Sequence, residues 1–255
     1  MDLSNCSLTF FTPNAKTSSL LSTLILYSND ISSINWITFR ALTLLTEINM
    51  AFNKITWIAL NSFLSQSKLR ILDLQYNLIN SIKERTFSGL SNLEQLHLGK
   101  NYLTSIKAET FKELSMLTYL GLNFNYLTSL DKSMFDGLSS LRELGLYANK
   151  ITSIPKETFS HLRALVYLDL GENPITQINP RAFRESFNFK NLGISLNQSF
   201  VCSSRVYYNN KINFVDSYCT HEGALKLYED FFELCKKQRG YHELLKGESE
   251  LLEIL

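Results

Sequence analysis

The amino-acid sequence predicts an α/β right-handed solenoid, with a curved parallel β-sheet on its concave face, a mostly irregular convex side and a C-terminal cap. Two observations carry this. Asn29, Asn53, Asn77, Asn101, Asn125, Asn149, Asn173 and Asn197 are spaced at 24 residues without a slip. Two apolar columns keep the same period: Phe39, Phe63, Phe87, Phe111, Phe135, Phe159 and Phe183, and Leu45, Leu69, Leu93, Leu117, Leu141 and Leu165. A unit this short cannot bury its own apolar residues, so the copies must stack into one continuous core.

Written as one unit, the copies read L-x-x-L-x-L-x-x-N-x-L-x-x-I/L-x-x-x-x-F-x-x-L. Ile82, Ile106, Leu130 and Ile154 hold the second apolar site after the asparagine. Over residues 20–197 this pattern resembles the leucine-rich-repeat family. The subtype is similar to the extracellular repeats of Toll-like receptor ectodomains, Slit-type guidance proteins and lamprey variable lymphocyte receptors. The resemblance implies a leucine-rich-repeat solenoid and a non-enzymatic recognition role.

Each part of the unit has a physical reason. In Leu96-x-Leu98 the period of two marks a short strand, its leucines turned inward and the residues between them outward. Stacked at about 4.8 Å, eight such strands make a sheet roughly 40 Å long. The phenylalanines lie half a coil away and form an aromatic spine that fills the wider convex side. At each asparagine the chain leaves the strand, and buried backbone groups there need partners. A carboxamide offers two donors and an acceptor, so the asparagines read as a structural ladder between coils.

The ends depart from the unit. Residues 1–19 fit as a partial first repeat with Met1, Leu3 and Leu8 in the core, and Cys6 as a buried ladder residue. That register implies a missing N-terminal cap, because an uncovered solenoid end exposes sheet and core. The opening residues have no basic and apolar leader regions, so either the chain is not exported or its leader precedes it. After Asn197 the period ends, and residues 198–239 read as a cysteine-containing C-terminal cap with a tail at 240–255. The segment 223–237 places Leu225, Tyr228, Phe232 and Cys235 on one face of a helix, suited to seal the last coil. By its resemblance to extracellular caps, Cys202 pairs with Cys219, or alternatively with Cys235. Cys202 is followed by Ser203 and Ser204 where those caps carry C-x-C, so one of their two bridges cannot form.

Composition excludes little. The 255 residues are 45% hydrophobic and 19% charged, and the formal net charge of +1 favours no polyanionic partner, so no nucleic acid is expected. No transmembrane segment occurs in the sequence. His221 and His242 each precede a glutamate, but neither continues as a zinc-binding H-E-x-x-H. No hydrolase, phosphate-loop or dinucleotide motif appears, so the chain reads as no enzyme, with no cofactor and no metal. His97 and His161 read as ordinary surface residues. Disulfide-bearing caps belong to oxidising compartments, and Asn5-Cys6-Ser7 is a glycosylation sequon, leaving Asn5 as a candidate glycan site. Asn197-Gln198-Ser199 is a second sequon on a ladder residue.

Function falls on the surface that the repeat leaves free to vary. Tyr119 and Tyr167 share one outward column, Tyr27 and Tyr147 another, and Phe52, Tyr76 and Phe124 a third; Tyr102 and Tyr126 follow the asparagine. Such semi-rigid side chains suit protein recognition, and they also suit packing on each other between coils. Acidic Glu47, Asp73, Glu143, Asp169 and Glu172 nearly balance basic Lys54, Lys100, Arg142 and Lys150, which favours a protein or peptide ligand over a polyanion. The expected setting is extracellular or cell-surface, receptor-like, with an immune or developmental role by resemblance. Alternatives are a cytoplasmic leucine-rich-repeat adaptor and an ectodomain fragment of a leucine-rich-repeat G protein-coupled receptor. Ligand identity and oligomeric state are open.

Overall fold

The computed structural model describes residues 1–13, 20–179 and 182, and the strands of residues 193–195, 206–208 and 212–213. In chain order the strands are β1 (Thr23–Ile25), β2 (Ser33–Ile34), β3 (Glu47–Asn49), β4 (Trp57–Ile58), β5 (Ile71–Asp73), β6 (Gln95–His97) and β7 (Tyr119–Gly121). They continue as β8 (Glu143–Gly145), β9 (Ser153–Ile154), β10 (Tyr167–Asp169), β11 (Gln177–Ile178), β12 (Gly193–Ser195), β13 (Val206–Tyr208) and β14 (Ile212–Asn213). One sheet runs β1-β3-β5-β6-β7-β8-β10-β12-β13-β14, parallel as far as β12 and antiparallel over its last two pairings. β2 pairs with β4, and β9 with β11, as two small parallel sheets further along the coil.

The strands are three residues long because the coil must turn inward and out again within one period. In β6, Leu96 is fully buried between half-buried Gln95 and His97, and each main-sheet strand from β1 to β10 repeats a buried centre. Neighbouring strands pair in register 24 residues apart, as in Leu96 with Leu120. The last parallel step differs: Leu168 faces Ile194, a shift of 26. The 24-residue count that reaches Asn197 therefore does not carry across that step, and Asn197 itself lies outside the described residues.

Opposite the sheet, Phe39, Phe63, Phe87, Phe111, Phe135 and Phe159 are buried in one column. Their stacked neighbours stand 5.6, 6.2 and 6.0 Å apart from Phe39 to Phe111, and 5.8 Å from Phe135 to Phe159. Strands pack at about 4.8 Å. Coils spaced more widely on the phenylalanine side must bend around the sheet, which makes the sheet face concave. The convex side is mostly turns. Among the described residues its one α-helix, α1 (Trp36–Phe39), has four residues and is capped by Asn35, whose Oδ1 accepts from the Ile37 N–H at 2.9 Å.

The asparagines from Asn29 to Asn173 are all buried and make one repeated set of bonds. Asn101 Oδ1 accepts from the Ile79 N–H of the preceding coil at 3.0 Å. Its Nδ2 donates back to Leu74 O at 2.9 Å and within its own coil to Leu98 O at 3.1 Å. The residue before each asparagine takes a left-handed backbone, from Ser28 at φ 54 to Glu172 at φ 53, which swings the chain out of the strand. Serine, alanine, lysine and aromatic residues share that column, so the strain belongs to the coil and not to a ligand site.

The first coil corrects one expectation. Asn29 Oδ1 accepts from the N–H groups of Cys6 and Leu8, which confirms Cys6 in the ladder register. Cys6 is nevertheless exposed, with Sγ 3.4 Å from Ser4 O. A ladder position is buried between two coils, and among the described residues Cys6 is packed on by the Asn29 coil alone.

Candidate functional site: the concave face

The nine aromatic side chains expected on this face sort into contacts that the column pattern only partly foretells. Phe52 and Tyr76, one coil apart, stack at 4.0 Å, and Tyr27 leans on Phe52 at 5.2 Å. Tyr102 stacks on Tyr126 at 5.7 Å. Phe124 meets Tyr147 edge-on at 5.3 Å and holds the Lys100 ammonium 3.4 Å above its ring. Packing therefore accounts for part of each ring's surface but does not hide it: Tyr27, Phe52, Tyr76, Tyr102, Phe124 and Tyr126 stay 37–48% exposed. Tyr119, Tyr147 and Tyr167 are half-buried.

Two glycines let rings and amides lie flat on the sheet. A Cβ on Gly121 would stand 2.9 Å from the Tyr119 hydroxyl, and one on Gly145 would stand 2.7 Å from the Asn123 carboxamide. Asn123 in turn accepts from the Tyr147 N–H at 2.9 Å and fixes that part of the floor. The centre of the face is thus a shallow, glycine-floored strip with Tyr119 across it.

His97 is not an ordinary surface residue. It is half-buried, 4.7 Å from the Tyr119 ring, with Nε2 3.3 Å from Gln95 Oε1. Burial lowers its pKa below the usual histidine value, against the pull of Asp73. A lowered pKa keeps the ring neutral near pH 7. Tyr119 shifts the other way: burial first, then Glu143, Asp73 and Asp169, raise its pKa and hold the hydroxyl protonated.

Charge is segregated on this face, which a total over the whole surface conceals. On the main-sheet strands from β1 to β10, the outward positions include Glu47, Asp73, Glu143 and Asp169 and no lysine or arginine. Basic residues stand beyond the strand positions, with Lys100 over the Phe124 ring and the others on the rims. Arg70 and Arg142 precede their strands, and Arg70 grips Glu94 through two 2.8 Å bonds. Lys54, past the strand, pairs with Asp30 at 2.8 Å.

A second exposed apolar group lies on the convex side and had a signal in the sequence. Trp57 interrupts a serine column formed by Ser33, Ser81, Ser105, Ser129 and Ser153. With Trp36, Ile37, Leu60 and Leu64 it stands about half exposed. Asn5 is exposed as well. Cys202, Cys219, Cys235 and the segment 223–237 lie outside the described residues. Among the described residues no group of His, Cys, Asp and Glu side chains could hold a metal ion, and no helix is long and apolar enough to cross a membrane.

The family model described as "Leucine rich repeat" matches residues 51–103, 91–151 and 139–198, together more than half of the chain. The chain belongs to the leucine-rich-repeat family. Among solved structures it is similar to a chain of the TLR13–ssRNA13 complex, with 26% identity and a TM-score of 0.71 over 77% of this chain. It is also similar to a leucine-rich-repeat protein of Leptospira interrogans, with 27% identity and a TM-score of 0.61, again over 77% of this chain. The match covers 28% of the first relative and 50% of the second, so the chain spans at most half the length of either. No curated protein matches.

Proposed function

We propose that this leucine-rich-repeat chain is a non-enzymatic recognition module that binds a protein or peptide ligand on its concave face, in an extracellular or cell-surface setting. The observation that carries it is the set of exposed rings. Six aromatic side chains are held by neighbours at 4.0–5.7 Å and still present a third or more of their surface to solvent. Rings fixed before binding lose little side-chain entropy on binding, which is the property of an interface hot spot. The TLR13 structure is a complex with RNA. For this chain, carboxylates without lysine or arginine at the outward strand positions support a protein ligand over a polyphosphate one.

Peptide binders selected on the full chain from a random library test the site. They are expected to protect Tyr76, Tyr102 and Tyr126 from tyrosine-directed modification and to leave Trp36 and Trp57 reactive. Protection of the two tryptophans with reactive tyrosines would move the site to the convex side. The compartment rests on the exposed Asn5 within its sequon. Secreted from a eukaryotic host, the chain is expected to lose one glycan's mass on enzymatic deglycosylation and to lose no mass in an Asn5→Gln variant; equal masses before and after deglycosylation of the unaltered chain would count against export.

A further inference from the structure

We infer that the ligand segment seated on the concave strands is cationic, with lysine or arginine side chains reaching the strip between Asp73, Glu143 and Asp169. This rests on the concave-face assignment and adds the chemistry of the partner. Three observations meet at one place. The outward strand positions carry four carboxylates and no lysine or arginine from β1 to β10, so the floor has one sign of charge. Glu47, Asp73 and Glu143 make no ion pair among the described residues; of the bases beside the strands, Arg70 and Lys54 are paired with acids of their own, Lys100 lies on the Phe124 ring and Arg142 makes no ion pair among the described residues. The charge of Glu47, Asp73 and Glu143 is therefore not neutralised by an ion pair among the described residues.

The second observation is steric. Gly121 and Gly145 carry no side chains, so the Tyr119 ring lies flat over Gly121 and the Asn123 carboxamide over Gly145. A long, thin, charged side chain can lie along the flat Tyr119 ring, with its methylenes on the ring and its head group toward the carboxylates that act on the Tyr119 hydroxyl. The third is that this surface already binds a cation of its own. Lys100 stands over the Phe124 ring at 3.4 Å, so a ring on this face meets an ammonium at contact distance. His97 adds no opposing charge, since its burial keeps the imidazole neutral.

The contacts that hold the floor in place allow a clean test. Asp73 Oδ1 accepts from the Gln75 N–H and Asp169 Oδ1 from the Gly171 N–H, and an asparagine keeps both bonds. A variant with Asp73→Asn, Glu143→Gln and Asp169→Asn therefore removes charge and keeps these two backbone bonds, giving up the 3.5 Å bond from Gln75 Nε2 to Asp73 Oδ2. Peptides selected on the unaltered chain are expected to be enriched in lysine and arginine. Their affinity should fall about tenfold or more in the triple variant, since each exposed charge contributes up to about a factor of five. It should also weaken as sodium chloride rises.

Selected peptides that are neutral or acidic, bind the charge-neutral variant equally, and lose affinity when Tyr102, Phe124 and Tyr126 are removed would overturn this inference and keep the concave site. Peptides indifferent to both variants would overturn both. Tight binding of a single-stranded RNA oligonucleotide that competes with the peptides would also overturn the cationic partner. A library that yields no binder counts against the inference and the site together.

Discussion

Replacing Asn101 by leucine is expected to destabilise the chain by about 3 kcal/mol, and replacing it by aspartate is expected to cost more at neutral pH. Each ladder carbonyl accepts from two amides: Leu74 O takes both Asn77 Nδ2 and Asn101 Nδ2, and Leu98 O takes both Asn101 Nδ2 and Asn125 Nδ2. Removing one amide leaves those carbonyls with a partner. The orphan is the Ile79 N–H, for which Asn101 Oδ1 is the acceptor. One orphaned buried donor costs about 1–3 kcal/mol, and each of the lost carbonyl bonds adds about 1 kcal/mol.

Aspartate separates these terms. Its Oδ1 can still accept from Ile79, but its second oxygen then faces Leu74 O and Leu98 O, and the charge is buried. The carboxyl pKa is raised in the folded state, so the variant's stability is greatest at low pH and is lost as pH rises through the folded value. Thermal melts should place Asn101→Asp below Asn101→Leu at pH 7 and bring the two closer near pH 4.5. Asn29→Leu should cost less than either, because its neighbours Leu3 and Leu8 are only partly buried. Unchanged melts for Asn101→Leu would contradict the ladder.

The repeat was legible in the sequence because its columns each answer to one physical demand that recurs in every coil. Asn101 must close the exit from a strand, and Phe111 must fill the convex side, whatever the coil binds. The residues of the face answer to no such demand. Their contacts follow the curvature and the width of the coil, which a count by column does not contain. Tyr102 with Tyr126 and Phe52 with Tyr76 are pairs one period apart and can be read off directly. His97 with Tyr119, and Phe124 with Tyr147, are 22 and 23 residues apart and cross columns, so only the folded chain shows them.

The same distinction explains the charges and the cysteine. Acids and bases over the whole face nearly balance, because rim residues such as Arg142 and Lys150 offset the strand floor. Sorting them by position within the coil leaves the floor acidic. Cys6 shows the converse case. Its register follows from the pattern, while its exposure depends on how many coils flank it.

Loss of the exposed rings carries the largest expected effect on function. Tyr102 and Tyr126 rest mainly on each other, and Phe124 supports Lys100 and Tyr147 at the surface. Truncating all three removes contact area from the binding face and takes nothing from the buried column of Phe39 to Phe159. Hot-spot truncations cost about 2 kcal/mol or more each in binding. Surface truncations away from caps and cores change stability by about 0.5 kcal/mol or less.

The most direct measurement compares binding and melting in one variant, Tyr102→Ala with Phe124→Ala and Tyr126→Ala, using peptides selected on the unaltered chain. A convex variant, Trp36→Ala with Trp57→Ala, serves as its counterpart. The concave variant is expected to lose binding by about a hundredfold or more while its melt stays near that of the unaltered chain, and the convex variant is expected to bind as before. Retained affinity in the concave variant, with loss in the convex one, would contradict the assignment.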